Sequence, residues 1–157
     1  MTKVYVAVCG PADANEQETA WAEEVGTLLA RAGAVVVCGG LGGVMDAAAR
    51  GARSEGGAVI GILPGDSRAG ASEHLTASIP TGMGEARNAL IARSADAVIA
   101  ISGEYGTLSE IALALKIGKP VVGLATWEIS KAGTPSDAIV AAGDSAEAVM
   151  LALELGA

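Results

Sequence analysis

The feature that most constrains the fold is a strand, a glycine loop and a helix that follow one another without interruption. The strand is the run Ala97–Ile101, which is short, apolar throughout and partly β-branched, as a buried parallel strand should be. The loop at residues 102–107 contains two glycines, and a helical sequence begins directly after it. A glycine turn between a strand's carboxyl end and a helix's amino end exposes backbone N–H groups. This stretch therefore predicts an anion-binding turn.

Strand and helix patterns alternate along the whole chain. Apolar blocks predict strands at residues 3–9, 34–38, 58–63, 77–79, 96–101, 121–124 and 139–142. Helices are expected at residues 16–32, 44–54, 84–93, 107–117 and 145–155, with loops elsewhere. The alternation predicts an α/β fold, a Rossmann-like three-layer sandwich formed by a single domain over residues 1–157, in which a parallel sheet carries helices on both faces. Ligands of such folds bind above the carboxyl ends of the strands, where the strand order reverses.

Composition excludes several classes of partner. The net charge is −8, and the 10 Lys and Arg residues form no basic cluster, so we expect no nucleic-acid or membrane-surface partner. With two Trp, two Tyr and no Phe, the chain also has few residues for stacking on single-stranded nucleic acid. No apolar run has the roughly 18 residues of a membrane span. Two cysteines without a secretion signal favour a cytoplasmic protein with reduced thiols.

A second glycine loop follows the second expected strand. Four of the five residues at 39–43 are glycine, which leaves backbone donors exposed, although a tight turn would need glycine as well. The loop is not a dinucleotide fingerprint, since that motif follows the first strand and is completed by an acidic residue after the second. A dinucleotide dehydrogenase is therefore disfavoured. Two such loops that open onto one crevice favour a phosphate-bearing ligand.

Two charged residues are candidates for chemistry in that crevice. Glu110 could form a T-x-x-E capping box with Thr107, or could place a carboxylate beside a ribose hydroxyl or an oxocarbenium-like centre. Arg87 stands near the start of an expected helix, where a cation opposes the helix dipole, so a phosphate or carboxylate partner would explain it. The alternatives are a surface arginine or a structural pair with Glu110.

The sequence predicts no metal site. Cys9 and Cys38 end what should be neighbouring strands, but two sulfurs without a third ligand form a poor metal site, and small buried core residues are expected instead. His74 is the only histidine, and we expect it at the surface or as a minor ligand contact.

The motif-bearing residues resemble those of the Lonely Guy (LOG)-like family, and within it the branch that includes molybdenum-cofactor carrier proteins. The resemblance runs from Val4 to about Leu124 and rests on the loop at residues 39–45, on Arg87 and on residues 95–110. The last segment is similar to the family signature P-G-G-x-G-T-x-x-E.

The resemblance implies a function and a set of site residues. In the phosphoribohydrolases of the family, residues at the places of Arg87 and Glu110 cleave the N-glycosidic bond of a cytokinin nucleoside 5′-monophosphate. The carrier proteins use the same crevice for a phosphate-bearing pterin. The family forms homo-oligomers, so a homodimer or homotetramer is expected. The implied ligand-binding residues are Gly10, Gly39, Gly40, Gly42, Gly43, Met45, Gly103, Tyr105, Gly106 and Thr107.

Four departures from the family pattern favour binding over catalysis. Ser102 replaces the proline of the signature, Glu104 replaces its second glycine, Asn88 replaces a lysine, and the M-H-E triplet before Arg87 is missing. A carboxylate at position 104 repels phosphate unless its side chain points away. We therefore expect carrier-like binding of a phosphorylated heterocycle, either a nucleotide or a pterin like molybdenum cofactor. The alternatives are a nucleoside 5′-monophosphate phosphoribohydrolase and a purely structural role for the glycines.

Overall fold

The computed structural model describes residues 2–157 and contains one seven-stranded sheet flanked by helices. The strands are β1 Tyr5–Cys9, β2 Val35–Cys38, β3 Val59–Leu63, β4 Ala77–Pro80, β5 Ala97–Ile101, β6 Val121–Leu124, β7 Ser130–Lys131, β8 Thr134–Pro135 and β9 Ile139–Ala142. The helices are α1 Glu16–Arg31, α2 Val44–Ser54, α3 Asn88–Ser94, α4 Tyr105–Lys116 and α5 Ser145–Gly156, and a 3-10 turn, Gly84–Arg87, leads into α3.

The main sheet is parallel and has the order β4-β3-β2-β1-β5-β6-β9. Its register places Val6 of β1 between Val36 of β2 and Ala97 of β5. This arrangement confirms the predicted parallel α/β fold. The strand order reverses between β1 and β5, so the loops that follow these two strands flank the position at which such folds bind ligands.

Side chains of the central strand alternate between two hydrophobic cores, one on each face of the sheet. Val6 and Val8 pack with α1, α2 and α5, while Ala7 and Cys9 pack with α3 and α4. Helices therefore cover both faces, as the alternating sequence predicts.

Glycines let α1 and α2 approach each other closely. A Cβ atom on Gly26 would lie 2.0 Å from the carbonyl oxygen of Ala48, and one on Gly51 would lie 2.0 Å from that of Glu23. Any larger residue at either position would push the helices apart. The contact fixes the position of α2, whose amino end follows the loop at residues 39–43.

Three local expectations are corrected. The helix expected at residues 84–93 is divided into the 3-10 turn and α3. The loop expected at residues 125–135 contains the short antiparallel pair β7 and β8. Helix α4 begins at Tyr105 instead of Thr107, with Glu104 as its N-cap residue. Within residues 2–157, no helix has the length and apolar character to cross a membrane.

Candidate functional site

A crevice of about 590 Å³ opens at the reversal point of the sheet. Its walls come from residues 9–13 after β1, from Gly39 and Leu41 after β2, and from Met45 at the start of α2. The opposite wall is formed by Arg87, Asn88 and the first turns of α4. The topology thus brings both glycine loops and Arg87 to one cavity.

Arg87 is the cationic side chain among the described residues that line the crevice. It is 9% exposed, its Nη1 donates to Oδ1 of Asn88, and its buried Nε has no hydrogen-bond partner among the described residues. It takes part in none of the ion pairs within residues 2–157, so the structural pair with Glu110 does not form. A buried cation with a spare donor is costly unless an anion compensates it.

Hydrogen bonds connect Arg87 to the start of α4. Nδ2 of Asn88 donates to Oγ of Ser109 over 3.0 Å, and that hydroxyl donates to the carbonyl oxygen of Gly106 over 2.6 Å. Asn88, which replaces the lysine of the family pattern, therefore positions Arg87 relative to the helix.

Gly39 is needed for the position of Arg87. A Cβ atom there would lie 2.7 Å from Nη2 of Arg87 and 2.7 Å from Sδ of Met45. Gly10, at the end of β1, is constrained in the same way, because its Cβ atom would lie 2.7 Å from the carbonyl oxygen of Ile101. Glycine at position 39 is thus required by two side chains that line the crevice, and glycine at position 10 by the packing of the loop after β1 against β5.

The loop after β5 places one glycine against the fold and another against the cavity. Gly103 has φ +112°, and a Cβ atom on it would lie 2.4 Å from Cβ of Thr107. By contrast, a Cβ atom on Gly106 would meet nothing within 4 Å, and Gly106 lines the crevice. Gly106 belongs to the first turn of α4, where backbone N–H groups lack partners within the helix.

Glu110 lines the crevice and does not cap α4. Because the helix begins at Tyr105, Glu110 lies beyond its first turn, and no side-chain cap is formed. Of the two alternatives for Glu110, the capping box with Thr107 is therefore wrong. Burial raises the pKa of the Glu110 carboxyl above 4.5, although the Cys9 thiol and the positive charge of Arg87 oppose the rise.

The remaining glycines and Tyr105 do not line the crevice. Gly43 has φ +62°, and a Cβ atom on it would lie 2.2 Å from the carbonyl oxygen of Pro11, so it holds the loop after β1 in place. Gly40 has φ +76° and packs against Gly61. Gly42 and Gly103 also lie outside the lining, and Tyr105 is 77% exposed.

Sequence reasoning missed the acidic character of the crevice. Besides Glu104 and Glu110, the carboxylates of Asp13 and Glu85 line it. Asp13 could have been predicted to line the crevice, since it follows a strand that ends at the predicted ligand position. Glu85 had none beyond its closeness in sequence to Arg87.

The structure also locates the cysteines and the histidine. Cys9 and Cys38 are buried and free, and they pack in opposite cores of the sheet. His74 lies outside the crevice lining, with Nε2 3.6 Å from the Glu73 carboxylate. Residues 2–157 contain no group of three or more His, Cys, Asp or Glu side chains arranged to hold a metal ion.

The sheet, its flanking helices and the crevice at the reversal point define a Rossmann-like α/β protein. The chain belongs to the SLOG cluster4 family, whose model matches residues 3–152, and the LOG-like resemblance is thereby confirmed. It is 45% identical over 124 residues to an uncharacterized protein of Archaeoglobus fulgidus, a match that covers 79% of this chain and 82% of that protein.

Two solved structures are similar over almost the whole chain. One is the molybdenum cofactor binding protein of the phototrophic bacterium Rippkaea orientalis, with 32% identity, a TM-score of 0.89, and coverage of 99% of this chain and 98% of that one. The other is the molybdenum cofactor carrier protein of Chlamydomonas reinhardtii, with 34% identity, a TM-score of 0.84 and 98% coverage of both chains.

Proposed function

We propose that this protein binds molybdenum cofactor, or a closely related phosphorylated pterin, and acts as its carrier. The observation that carries the proposal is the buried Arg87, whose Nε lacks a partner in a crevice shared with the open Gly106. The two solved relatives described above, a binding protein and a carrier protein for this cofactor, support the choice of ligand.

The residues present fit such a ligand. Arg87 and the backbone N–H groups of Gly106 and Thr107 would hold the phosphate, because a guanidinium and a helix N-terminus both favour an anion. Gly10, Gly39 and Met45 would line the adjoining wall. The cofactor supplies the redox chemistry of molybdenum to the enzyme that receives it, whereas the residues of this chain bind and enclose it.

Retention of the cofactor tests the proposal. The protein would be mixed with molybdenum cofactor released from a molybdoenzyme under anaerobic conditions and then passed through a size-exclusion column. The pterin in the protein fraction is measured by fluorescence after oxidation. We expect the wild type to retain it and Arg87→Met to lose it. Arg93→Met is the matched control, since Arg93 is exposed on α3, the helix that directly follows Arg87, and lies outside the crevice. No retention by the wild type would overturn the proposal.

The position of Glu110 favours a second candidate function, hydrolysis of a nucleoside 5′-monophosphate. Its carboxylate lines the same crevice as Arg87, where it could stabilise a ribosyl centre. The assay is release of free base from AMP and from cytokinin monophosphates. Release that disappears in Glu110→Gln would establish the hydrolase, whereas no release together with retention of the cofactor would leave the carrier.

The family resemblance also leads us to propose a homodimer or homotetramer. Sedimentation equilibrium would measure the molecular mass in solution, and a monomer at all concentrations would contradict this assembly.

A further inference from the structure

A second cavity of about 450 Å³, shallow and widely open to solvent, adjoins the crevice. It is formed by residues 102–104 after β5 and by residues 125–128 after β6. Glu104 lines both the crevice and this second cavity, so it stands at the boundary between them. A ligand anchored near Arg87 could therefore extend past Glu104.

Two residues that line the second cavity have an uncommon backbone conformation. Ser102 has φ +50° and Ala125 has φ +51°, a region that residues other than glycine adopt at a cost. Two hydrogen bonds link the loops: Oγ1 of Thr126 donates to the Ser102 carbonyl over 2.5 Å, and Nε1 of Trp127 donates to the Glu104 carbonyl over 3.2 Å. Residues in such conformations cluster at functional sites, and the two hydrogen bonds order both sides of the cavity.

Half of the chain's aromatic residues lie together at this position. The rings of Tyr105 and Trp127 are 5.6 Å apart with planes tilted by 31°, and Tyr105 is 77% exposed. The chain has only two Trp and two Tyr, so this pair is its main flat apolar surface. A heterocyclic ring could stack here, next to Glu104.

The second cavity has only acidic charged residues, whereas the crevice combines its four acidic residues with the cation Arg87. The crevice contains Arg87 and the open start of α4, whereas the second cavity is lined by the carboxylates Glu104 and Glu128 and by no basic residue among the described ones. An ionised carboxylate only accepts hydrogen bonds, so this end would repel a phosphate and attract a group rich in N–H donors.

We propose that Glu104 binds the 2-amino-4-oxopyrimidine edge of the ligand's heterocycle while the phosphate lies at Arg87. This inference rests on the proposed binding of a phosphorylated pterin and deepens it. Pterin and guanine share this edge, which presents a ring N–H and an amino N–H side by side to the two oxygens of one carboxylate. The ring itself lies beside Trp127. Glu104, which replaces the second glycine of the family signature, is thereby the residue that selects the heterocycle.

Matched ligand pairs test the role of the amino group. Guanosine and inosine 5′-monophosphate differ only in the 2-amino group, and pterin and lumazine differ at the same position. Isothermal titration calorimetry would measure all four, with inorganic phosphate as a further ligand. We expect the wild type to prefer the 2-amino compounds by about tenfold or more, the ratio for a hydrogen bond to a charged acceptor.

Two variants separate recognition from repulsion. Glu104→Gln should remove the preference, yet leave the binding of inorganic phosphate unchanged or stronger, because a negative charge is lost. Glu128→Gln is the control, since Glu128 lines the second cavity but not the crevice, and it should keep the preference.

The outcomes distinguish this inference from the function on which it rests. Equal affinities of the wild type for the two ligands of each pair would overturn the role of Glu104. An equal gain in affinity for every ligand in Glu104→Gln would overturn it as well. Failure of all four compounds to bind would overturn it as well, and retention of molybdenum cofactor by the wild type would then leave the carrier function standing. Loss of the cofactor too would overturn both.

Discussion

Gly106→Ala should stabilise the protein and impair ligand binding at the same time. The added Cβ would meet no atom within 4 Å, and the residue lies in the first turn of α4. Alanine in a helix is more favourable than glycine by about 0.5–1 kcal/mol. For a domain of this size, such a gain raises Tm by roughly 1–4 °C. The same methyl group would project from a backbone that lines the crevice, where the phosphate is proposed to approach.

Urea unfolding and cofactor retention would measure the two effects on the same samples. Gly65→Ala is the matched control, because its Cβ would have no neighbour closer than 3.8 Å and Gly65 does not line the crevice. Its free energy of unfolding should rise by about 0.4–1 kcal/mol, because alanine reduces the conformational entropy of the unfolded chain, and its ligand binding should not change. Binding by Gly106→Ala equal to that of the wild type would refute the reasoning and reduce Gly106 to a turn residue.

Three further predictions concern the residues around the crevice. The raised pKa of Glu110 means that its carboxyl holds a proton more tightly in the folded state than in the unfolded state. Its contribution to the free energy of unfolding is therefore greatest below pH 4.5 and is lost as the pH rises through the folded-state pKa. Glu110→Gln should flatten that fall in unfolding curves recorded from pH 4 to 8, and an unchanged slope would contradict it. Ser102→Pro should lower the free energy of unfolding by more than about 1 kcal/mol, because proline cannot adopt φ +50° and cannot replace the N–H that Ser102 donates to the Leu124 carbonyl. Ser102→Gly should be tolerated, because glycine adopts this φ readily. Equal melting temperatures of the two variants would contradict backbone strain at this position. Burial raises the pKa of the Cys9 thiol well above 9.0 and that of the Cys38 thiol to about 11. Ellman's reagent at pH 8 should therefore modify neither cysteine unless denaturant is added. Rapid reaction with the native protein would contradict this prediction.

The fold follows from local sequence patterns because each pattern agrees with the global arrangement. β5 and α4 are a buried β-branched run and an apolar helix separated by glycines, and the same succession recurs at β2 and α2. The N-cap of α5 was predictable as well: the Asp144 side chain accepts from the Glu147 N–H over 2.8 Å, an interaction between neighbours in sequence.

The start of α4 could not be predicted in this way. The spacing of Thr107 and Glu110 satisfies the capping-box pattern, yet the helix begins two residues earlier. The Glu104 carbonyl accepts from the Trp127 side chain, a partner 23 residues away that no local pattern reveals.

The two glycine loops looked equivalent in the sequence but differ in the structure, and the difference bears on what the crevice can bind. In the first loop, Gly43 supports a neighbouring chain segment, whereas Gly106 of the second is open to the cavity. Arg87 and the start of α4 provide positive potential in the crevice, where they lie amid four carboxylates. A free phosphate gains little in such surroundings, since repulsion offsets much of the attraction. If the crevice binds a phosphorylated pterin as proposed, the heterocycle must supply much of the affinity, and the carboxylates then act as a filter against simpler anions.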